Sequence, residues 1–386
     1  MRILYLANSS NWHIDLWTQY FTKVHSVFLF SEKENYLNDQ PFKEVVITYS
    51  EGLLGRFFNY LNITSHRLFQ LNKLLSARFY AAEIDRLVSK EKIDIIHAHT
   101  LFHGYVASFI KSSVPIIFTP MGSDIIIHAQ KNLIYKFMAR KAFSKSTVIT
   151  GDSMILQKSG YDVGARKEKN YIIQNGVDSS IFKPQSANKL KQELGILKSE
   201  TLIFSPRAIT PLYNIDIIIE SLSELKKTNS RFKCMFSYAF GGEYYSELKK
   251  KVISLGLSEN VIWLGYIKYE DMQLYYNAAD IVISVPSSDS SPKSVYEAMF
   301  CGKPVIISDL EWSHELLDEK ECVLRVDVKN PIQLSQAMKS LIDNHELLET
   351  LSKNSLLLAH KFFDYDINMK KMEAIMLSTL NRGDSS

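Results

Sequence analysis

A burst of small polar residues stands directly in front of a helical pattern in the second half of the chain. The stretch SVPSSDSSPKSVYEAMFCGKPVIISD, residues 284–309, ends an apolar run and then turns helical around Glu297. Ser291 and Pro292 suit the start of that helix, because Ser is a good N-cap and Pro fits the first turn. The free amides and positive dipole end of a helix bind anions such as a diphosphate. Lys293 adds positive charge, and Glu297 can accept hydrogen bonds from a vicinal diol such as ribose.

The capping residues alone favour an ordinary connection between a strand and a helix, so the case for an anion site depends on the rest of the chain. A chain of 386 residues is too long for one ordinary core, which predicts two domains. The composition, 46% hydrophobic and 23% charged, is that of a soluble globular protein. No apolar run reaches the length of about 18 residues that a membrane-spanning helix needs.

The amino terminus and the cysteines favour a cytoplasmic protein. Met1 and Arg2 lead straight into ILYLA, which is too short for the apolar core of a signal peptide and predicts a first strand. Cys234, Cys301 and Cys322 lie in apolar surroundings without paired spacing, as buried reduced thiols do.

Charge is distributed unevenly along the chain. Residues 1–177 hold 21 Lys and Arg against 14 Asp and Glu, and the remainder holds 24 against 28, within a net charge of +3. The basic half is suited to an anionic surface. Because nothing resembles a nucleic-acid-binding module, phospholipid or a phosphorylated acceptor is the expected partner.

Short apolar runs rich in Ile and Val alternate with helical patterns along both halves. Fully apolar strands separated by helices are typical of parallel sheets covered on both faces. We expect strands near 2–7, 25–30, 44–48, 94–99, 115–119, 147–151, 171–174, 201–205, 233–239, 260–264, 280–285, 304–307 and 321–326. We expect helices at 12–23, 56–90, 103–112, 131–144, 214–226, 243–255, 269–278, 294–301 and 331–342. Two such doubly wound units place ligands at the carboxyl ends of their strands, facing a shared cleft.

The joint between the two domains is expected in NGVDSSIFKPQSANK, residues 175–189, which is rich in turn formers. This predicts a first domain at 1–177 and a second at 178–364. The tail from 345 to 380 is helical by pattern. Its last helix, within 365–386, is expected to pack back on the first domain.

Several motifs occur in an order that resembles family-4 retaining glycosyltransferases. Asp289, seven residues and Glu297, followed by AMFCGKPVI, resemble the family's E-x7-E signature. QNGVD at 174–178 resembles its inter-domain loop, and SPRAITPLYNIDIIIESL resembles the segment holding its arginine, here Arg207. GGEYYSELKKKVISLGLSENVIWLGYI, ending just after Gly265, resembles a further segment of the second domain. IIHAHT and VPIIFTPMGSD resemble strand ends of the first domain, so the resemblance covers nearly the whole chain.

Three departures from the family pattern stand out. The first acid of E-x7-E is Asp289, which is one methylene shorter than Glu. Ser and Pro replace the glycines of the usual loop. Leu212 and Tyr213 stand where the family has a lysine that helps to neutralise the diphosphate, so Lys293 is a candidate to replace it. SDSSP at 288–292 and H-x-x-x-W at His13 and Trp17 resemble a subgroup of cell-surface polysaccharide and lipopolysaccharide enzymes.

The resemblance implies the GT-B architecture, which is α/β with two Rossmann-like domains facing a central cleft. It implies a nucleotide-sugar donor bound to the second domain, with no cofactor and no metal. A UDP-sugar is expected on the frequency of UDP among such donors alone. Arg207 and Lys293 would stabilise the diphosphate and Glu297 would hold the ribose. Asp289 and the backbone at the helix start would hold the transferred hexose, and Tyr266 and Ile267 would meet the base. The donor-binding residues are then Arg207, Tyr266, Ile267, Asp289, Ser291, Pro292, Lys293, Ser294, Val295 and Glu297.

The first domain would bind the acceptor, a glycan or a lipid-linked glycan. His13, His99, Gly122 and Asp124 follow strands and would face the cleft, and His99 or Asp124 would contact the sugar or the acceptor hydroxyl. The catalytic set is therefore Asp289, Glu297, Arg207, His99 and Asp124, and the acceptor-binding set is His13, Trp17, Gly122 and Ser123. Trp17, four residues after His13, is also typical of a core residue.

Two metal motifs have simpler interpretations. HAHTLFH supplies His97, His99 and His103, which could bind zinc, but no carboxylate or thiolate completes the set nearby. A hydrogen-bonded core residue is the better interpretation of His97. DYD, at 364–366, matches a short metal–nucleotide motif, but it precedes an amphipathic helix, which favours a capping role for Asp366.

QKNLIYKFMARKAFSKS, residues 130–146, interleaves basic and apolar residues. A solvated helix face explains this pattern, and so does peripheral contact with anionic lipid on the inner face of the membrane. The overall prediction is a cytoplasmic, metal-independent hexosyltransferase of cell-surface polysaccharide or lipopolysaccharide synthesis. The alternatives are a phosphorylase or epimerase of the same fold, a catalytically impaired subunit that binds a partner protein, and a lipid-surface protein with a decayed site.

Overall fold

The chain forms two compact units in a computed structural model, which describes residues 1–8, 12–31, 47–48, 66–237, 242–317 and 321–383. The first unit comprises Met1–Asn175 together with Asp366–Ser386, and the second comprises Gly176–Tyr365. The chain therefore crosses between the units twice, at 175–176 and at 365–366.

The first unit contains a parallel sheet whose described residues form seven strands. Their order across the sheet is β3-β2-β1-β4-β5-β6-β7, so the winding reverses direction between β1 and β4. The strands are β1 Arg2–Leu6, β2 Ser26–Phe30, β3 Ile47–Thr48, β4 Ile95–His99, β5 Ile116–Thr119, β6 Val148–Gly151 and β7 Asn170–Ile172. The side chains of β1 and β4 are buried almost throughout, as expected of strands covered on both faces.

Helices connect these strands. They are α1 Trp12–Phe21, α2 His66–Glu91, α3 Thr100–Ala107, α4 Ala129–Lys131, α5 Leu133–Lys145 and α6 Met154–Asp162. A π-helical turn, Asp124–His128, runs directly into α4. Turns of this kind are rare and frequently lie at functional sites. Asn132 caps α5 by accepting hydrogen bonds from the amides of Ile134 and Tyr135.

The second unit repeats the same winding with a six-stranded parallel sheet in the order β10-β9-β8-β11-β12-β13. Its strands are β8 Thr201–Ser205, β9 Phe232–Ser237, β10 Val261–Gly265, β11 Ile281–Ser284, β12 Val305–Ser308 and β13 Val323–Val326. Its helices are α7 Asn188–Glu193, α8 Ile215–Lys226, α9 Glu243–Ser254, α10 Met272–Ala278, α11 Lys293–Phe300, α12 Glu311–Leu316, α13 Pro331–Asp343 and α14 His345–Phe362. The last helix of the chain is α15, Tyr365–Gly383. Two apolar cores lie on the two faces of the sheet.

The last helix, α15, belongs to the first unit. Glu373 on this helix lies 2.7 Å from His25 Nε2 and accepts a hydrogen bond of 3.1 Å from the Tyr20 hydroxyl. Before α15 begins, Val177 pairs with Asp364 in an isolated parallel bridge. Gly176 has a φ of +75°, and a Cβ there would lie 2.5 Å from Tyr365 Cα, so this position requires glycine.

The two predicted parallel sheets and their doubly wound topology are confirmed, and most strand bounds agree within one or two residues. The predicted strand residues 44–46 and 238–239, and the first part of the predicted helix 56–90, lie outside the described residues. Three short or moderate helices, α6, α7 and α12, were absent from the prediction. None of the helices in the described part of the chain is long and apolar enough to cross a membrane.

Candidate active site

The candidate site lies at the carboxyl edge of the second sheet, where the winding reverses between β8 and β11. Such reversal points are where ligands bind in doubly wound sheets. Ser205 and Ser284 end these two strands, and both are buried. Within the described residues neither hydroxyl has a hydrogen-bond partner. Unpaired buried hydroxyls are uncommon and mark this edge as a place for a missing polar partner.

Asn214 ties together the loops that follow these two strands. Its side-chain amide donates to the carbonyl of Val285 at 2.8 Å, and its oxygen accepts from the Ser287 hydroxyl at 3.0 Å. The amide of Ser287 also donates to the carbonyl of Leu212 at 2.8 Å. Asn214 adopts a φ of 52°, which Asn tolerates better than most residues. These hydrogen bonds within the protein hold the two loops in a fixed relation before any ligand binds.

Arg207 is held on three sides. Its Nη2 lies 2.8 Å from Asp289 Oδ2, its Nη1 donates to the Ser294 hydroxyl at 2.9 Å, and its guanidinium lies 4.2 Å from the centre of the Tyr213 ring. Asp289 Oδ1 accepts from the amide of Ser290 at 2.9 Å. Both oxygens of Asp289 therefore already contact protein groups.

Helix α11 begins at Lys293, one residue before the predicted start at 294, and its cap differs from the one suggested by the sequence. Pro292 is the N-cap and Lys293 is the first helical residue, whereas Pro292 was placed in the first turn and Ser291 at the cap. The carbonyl of Pro292 accepts from the amide of Val295 at 3.0 Å. A proline cap offers no side-chain acceptor to the first amides of the helix, so this N-terminus keeps its capacity for an anion.

Glu297 is buried, with 5% of its surface exposed, and is the centre of a polar network. The Tyr276 hydroxyl donates to Glu297 Oε2 at 2.9 Å, and Lys293 Nζ lies 4.0 Å from Oε1. Burial and the nearby Glu297 carboxylate raise the pKa of Tyr269, and the Tyr269 ring lies 4.6 Å from Lys293 Nζ. Asp178 is a further negative neighbour of Lys293.

Burial controls the protonation of this network. It raises the pKa of Glu297, while Lys293 and the tyrosine hydroxyls act in the opposite direction. Burial lowers the pKa of Lys293, while Glu297 and Asp178 raise it. The network is therefore one coupled acid–base unit, in which removing one charge changes the protonation of the other.

The other predicted donor residues lie nearby with different exposure. Tyr266, directly after β10, has 72% of its surface exposed, and Ile267 is half-buried. The Ser291 and Tyr296 hydroxyls are 3.2 Å apart. The side chain of Val295 is fully buried in the core, so this residue can offer a ligand only its backbone.

His99, at the end of β4 in the first unit, lies in an aromatic cluster. Its ring centre is 4.2 Å from that of His97, 5.3 Å from that of Trp17 and 5.6 Å from that of Tyr5. Burial lowers the pKa of His97 to about 3, and His97 Nε2 lies 2.7 Å from the Thr119 hydroxyl. His97 is thus a neutral, hydrogen-bonded core residue.

Trp17 is a core residue as well, and its assignment to acceptor binding is wrong as a direct contact. Only 1% of its surface is exposed, and its indole N–H donates to Asn175 Oδ1 at 2.9 Å. His99 is equally buried, so in this structure it contacts its aromatic neighbours. The side chain of His13, the other half of the predicted pair, lies outside the described residues.

Asp124 begins the π-helical turn after β5. Its carboxylate accepts from the amide of Leu101 at 2.8 Å, and burial raises its pKa. Gly122 and Ser123 directly precede it, half-buried and exposed respectively. The side chain of Asp124 therefore links the carboxyl ends of β4 and β5. Its burial favours the protonated form of this side chain.

Neither histidine nor carboxylate clusters form a metal site within the described part of the chain. His103 Nδ1 lies 2.9 Å from the Thr100 hydroxyl, and Asp364 accepts from the Ser179 hydroxyl at 2.8 Å. Asp366 lies in the first turn of α15.

The sequence interpretation missed the tyrosines of the site. Tyr213, Tyr269 and Tyr276 stack on or donate to the charged groups, yet each resembles a core or surface aromatic residue in the sequence. Tyr213 had a detectable signal, because it stands where the family pattern has a lysine.

Comparison with known families places both halves of the chain among glycosyltransferases. Residues 2–153 match the family described as glycosyl transferase 4-like, and residues 186–356 match glycosyl transferases group 1. Together the two matches cover well over half of the chain. With the two doubly wound sheets, they define a glycosyltransferase of the GT-B fold. The amino-terminal match is to the family described as glycosyl transferase 4-like, so the two matches support a glycosyltransferase of family 4.

The relatives and neighbours agree with this class. Alpha-monoglucosyldiacylglycerol synthase of Streptococcus pneumoniae is 24% identical over 61% of this chain and 56% of its own length. The enzyme of the same description from Acholeplasma laidlawii is 24% identical over 78% of this chain and 79% of its own length. Anabaena HepE in complex with UDP superimposes with a TM-score of 0.78 at 19% identity, over 98% of this chain and 100% of that one.

Proposed function

We propose that the protein is a retaining glycosyltransferase that moves a hexose from a nucleoside diphosphate sugar to a glycan or lipid-linked acceptor. The proposed donor is a UDP-sugar. The pathway we propose is the synthesis of cell-surface polysaccharide or lipopolysaccharide. The observation that carries the proposal is the position of Arg207, whose guanidinium bonds to Ser294 in the first turn of α11. A cation and a helix N-terminus therefore converge on one point, as recognition of a diphosphate requires.

The leaving diphosphate gains negative charge as the sugar bond breaks, so preorganised positive groups lower the barrier. Arg207 is the principal positive group, and the Tyr213 ring packs against the face of its guanidinium. Lys293 supplies a second charge from the same helix turn. We propose that these groups do the work of a metal ion at the diphosphate.

Glu297 is proposed to accept the ribose hydroxyls. Tyr276, Tyr269 and Lys293 stabilise the negative charge of Glu297. The buried carboxylate is therefore not isolated, and a neutral diol can bind to it without supplying a counter-charge. Asp289 is proposed to hold Arg207 and, through its remaining lone pairs, a hydroxyl of the sugar. No carboxylate of the site is assigned a covalent role. The proposed transfer therefore occurs on one face of the sugar, with a donor phosphate oxygen taking the proton of the acceptor hydroxyl.

The names of related proteins support the choice of donor and acceptor. The structure of HepE is a complex with UDP, and a further structure of the same protein contains UDP-glucose. The relatives from Streptococcus pneumoniae and Acholeplasma laidlawii are named as synthases of a glucosylated diacylglycerol. A UDP-sugar donor and a lipid-linked acceptor for this chain agree with both.

The surface of α5 supports an acceptor held at a membrane. Leu133 and Phe137 have 84% and 48% of their surfaces exposed, and they lie one turn apart on this helix. Arg140, Lys141 and Lys145 are exposed on the same helix. Exposed apolar side chains flanked by basic ones suit the interface of an anionic bilayer. We propose peripheral contact with the inner face of the membrane through this surface.

The test of the donor site is calorimetric titration of the full chain with UDP, GDP, ADP and CMP, followed by the matching nucleotide sugars. One nucleotide is expected to bind, with affinity lost in Arg207→Ala and Glu297→Ala and kept in Lys226→Ala, a half-buried lysine of α8 outside the site. Incubation with an acceptor lipid extract should then release that nucleotide, and NMR of the product gives the anomeric configuration.

Binding of a nucleotide without transfer to any acceptor would favour a second candidate, an impaired subunit of the same fold. That candidate rests on the shorter acid, on the missing lysine and on the pairing of Asp289 with Arg207. Absence of binding by every nucleotide would reject both.

Membrane contact is tested by flotation with phosphatidylcholine vesicles that contain or lack phosphatidylglycerol. We expect binding only to the anionic vesicles, reduced by the double change Leu133→Ser and Phe137→Ser and by Lys141→Glu. Equal binding by these variants and the unchanged protein would reject α5 as the contact.

A further inference from the structure

A cavity lies at the amino edge of the second sheet, on the opposite edge from the candidate active site. Its volume is about 930 Å³. Thr201 begins β8, Asp280 directly precedes β11 and Pro304 directly precedes β12, and all three residues line it. Since the active-site loops leave the carboxyl ends of β8 and β11, the two sites are separated by the length of these strands.

Both carboxylates that line this cavity are already engaged. Asp280 accepts from Lys191 Nζ at 2.7 Å and from the amide of Leu202 at 2.8 Å. Glu200 lies 3.8 Å from Nζ of Lys233, which is itself half-buried beside it. The negative charge of the lining is therefore matched by Lys191 and Lys233.

Two further lysines of the lining are left in excess. Lys303 is half-buried and donates to the carbonyl of Asn277 at 2.9 Å. Lys198 is exposed at the rim. Among the residues that the structure describes, no carboxylate lies within salt-bridge distance of either ammonium group. Burial lowers the pKa of Lys303 and Asp280 raises it, so Asp280 is shared between Lys191 and Lys303. A further anion would stabilise the half-buried ammonium group of Lys303.

Part of the lining is apolar. Leu341, Ile342 and Leu348, from α13 and α14, supply it, beside the polar side chains of His345 and Ser352. A ligand that matches this cavity therefore carries a compact anionic group at one end and a larger, weakly polar part at the other. The volume exceeds what a bare phosphate ion fills, and it accommodates a sugar phosphate.

We propose that this cavity binds a small phosphomonoester, with Lys303 and Lys198 as the cations that recognise the phosphate. Lys303 follows the carboxyl end of α11, the helix whose amino end carries the candidate active site. The amides of Gly302 and Lys303 donate to the carbonyls of Met299 and Ala298 at 2.9 and 3.0 Å, which fixes Lys303 to that helix end.

The test is hydrogen–deuterium exchange of the full chain with glucose 6-phosphate, with inorganic phosphate and with glucose as probes. Glucose 6-phosphate is expected to slow exchange in residues 188–202 and 341–352. Glucose should have no effect, and inorganic phosphate a weaker one, because it fills only the charged end. If inorganic phosphate gives the full protection, the ligand is a free anion and the proposal of a phosphomonoester is overturned.

Variants assign the effect to the proposed lysines. In Lys303→Gln the affinity for glucose 6-phosphate is expected to fall about tenfold, the loss of one charge-assisted contact. Lys226→Gln is the matched control, because Lys226 also donates to a backbone carbonyl, that of Gly256, but lies outside the cavity. Lys198→Gln keeps the test valid if Lys303→Gln does not fold.

The result also separates this site from the proposed donor site. Protection that survives in Arg207→Ala supports the cavity whether or not the protein binds a nucleotide. Protection confined to residues 285–294, or unchanged protection in both lysine variants, would overturn the proposal.

Discussion

Arg207 and Asp289 form an ion pair at the carboxyl edge of the second sheet, with 2.8 Å between Nη2 and Oδ2. Both side chains are largely buried, at 12% and 15% exposure. The cation proposed to receive a diphosphate therefore carries a counter-charge before any ligand binds. A diphosphate has to share Arg207 with Asp289, and the carboxylate repels it at short range.

The change Asp289→Asn should strengthen binding of the nucleoside diphosphate and slow sugar transfer. It removes the repulsion while Ser294 and Tyr213 still hold Arg207. A gain of about three- to tenfold in affinity corresponds to roughly 1 kcal/mol, typical of one partly screened charge. Calorimetric titration with UDP measures the first effect and a transfer assay the second. Asp289→Glu is the control for charge, and weaker UDP binding by Asp289→Asn would mean that Asp289 is needed to place Arg207.

Arg207→Lys should fail to replace arginine despite keeping the charge. Lysine has no planar fork to bond Asp289 and Ser294 together, and it stacks less well on Tyr213. We expect UDP affinity to fall at least about tenfold, with Tyr213→Phe close to the unchanged protein because the ring is kept. A similar affinity for Arg207→Lys and the unchanged protein would show that only charge matters at this position.

Tyr276→Phe should destabilise the second unit by about 1–3 kcal/mol, because a buried carboxylate loses a donor. The loss should be smaller in a Glu297→Gln background, where the partner is neutral. Urea unfolding of the two single variants and the double variant gives the coupling between the side chains. If the free energies of unfolding add without coupling, the hydrogen bond between Tyr276 and Glu297 does not contribute.

The pH dependence of stability should contain a contribution from His97. Its pKa is about 3 in the folded protein, below the ordinary value of roughly 6.5, because burial disfavours the charged ring. Between these two pKa values, His97 binds a proton in the unfolded chain but not in the folded protein. This contribution to stability is complete above about pH 6.5 and is lost as the pH falls towards 3.

Urea unfolding at pH 7.5 and pH 5.0 measures this effect. Relative to His97→Gln, which cannot titrate, the unchanged protein should lose about 2 kcal/mol over this interval. Equal losses in the two proteins would show that His97 is protonated in the folded state.

Much of the fold was predictable because buried parallel strands leave an unambiguous apolar signal. IIHAH at β4 and VIIS at β12 are such runs, and neither their length nor their surroundings suit a helix. The tandem order of strands and helices then determined the topology. The short helices α7 and α12 were missed because their stability comes from packing against the core, and six residues carry too little periodicity.

The candidate site was predictable in part. Arg207, Asp289, Lys293 and Glu297 all lie at one edge of the second sheet, because their loops leave its carboxyl ends. The core position of Trp17 was one of two interpretations of the sequence, but its hydrogen bond was not predictable, since its partner Asn175 lies 158 positions later in the chain. The start of α11 was off by one residue, because proline is compatible with both the cap and the first turn.

The crossing of the chain into α15 has a practical consequence for dissecting the protein. Met369, Met372 and Met376 on this helix are fully buried, and Glu373 binds Tyr20 and His25. A fragment that stops after residue 175 would expose the surface these methionines cover and would tend to aggregate. An isolated amino-terminal half should therefore be produced with residues 366–383 grafted back by a linker, or supplied as a separate peptide.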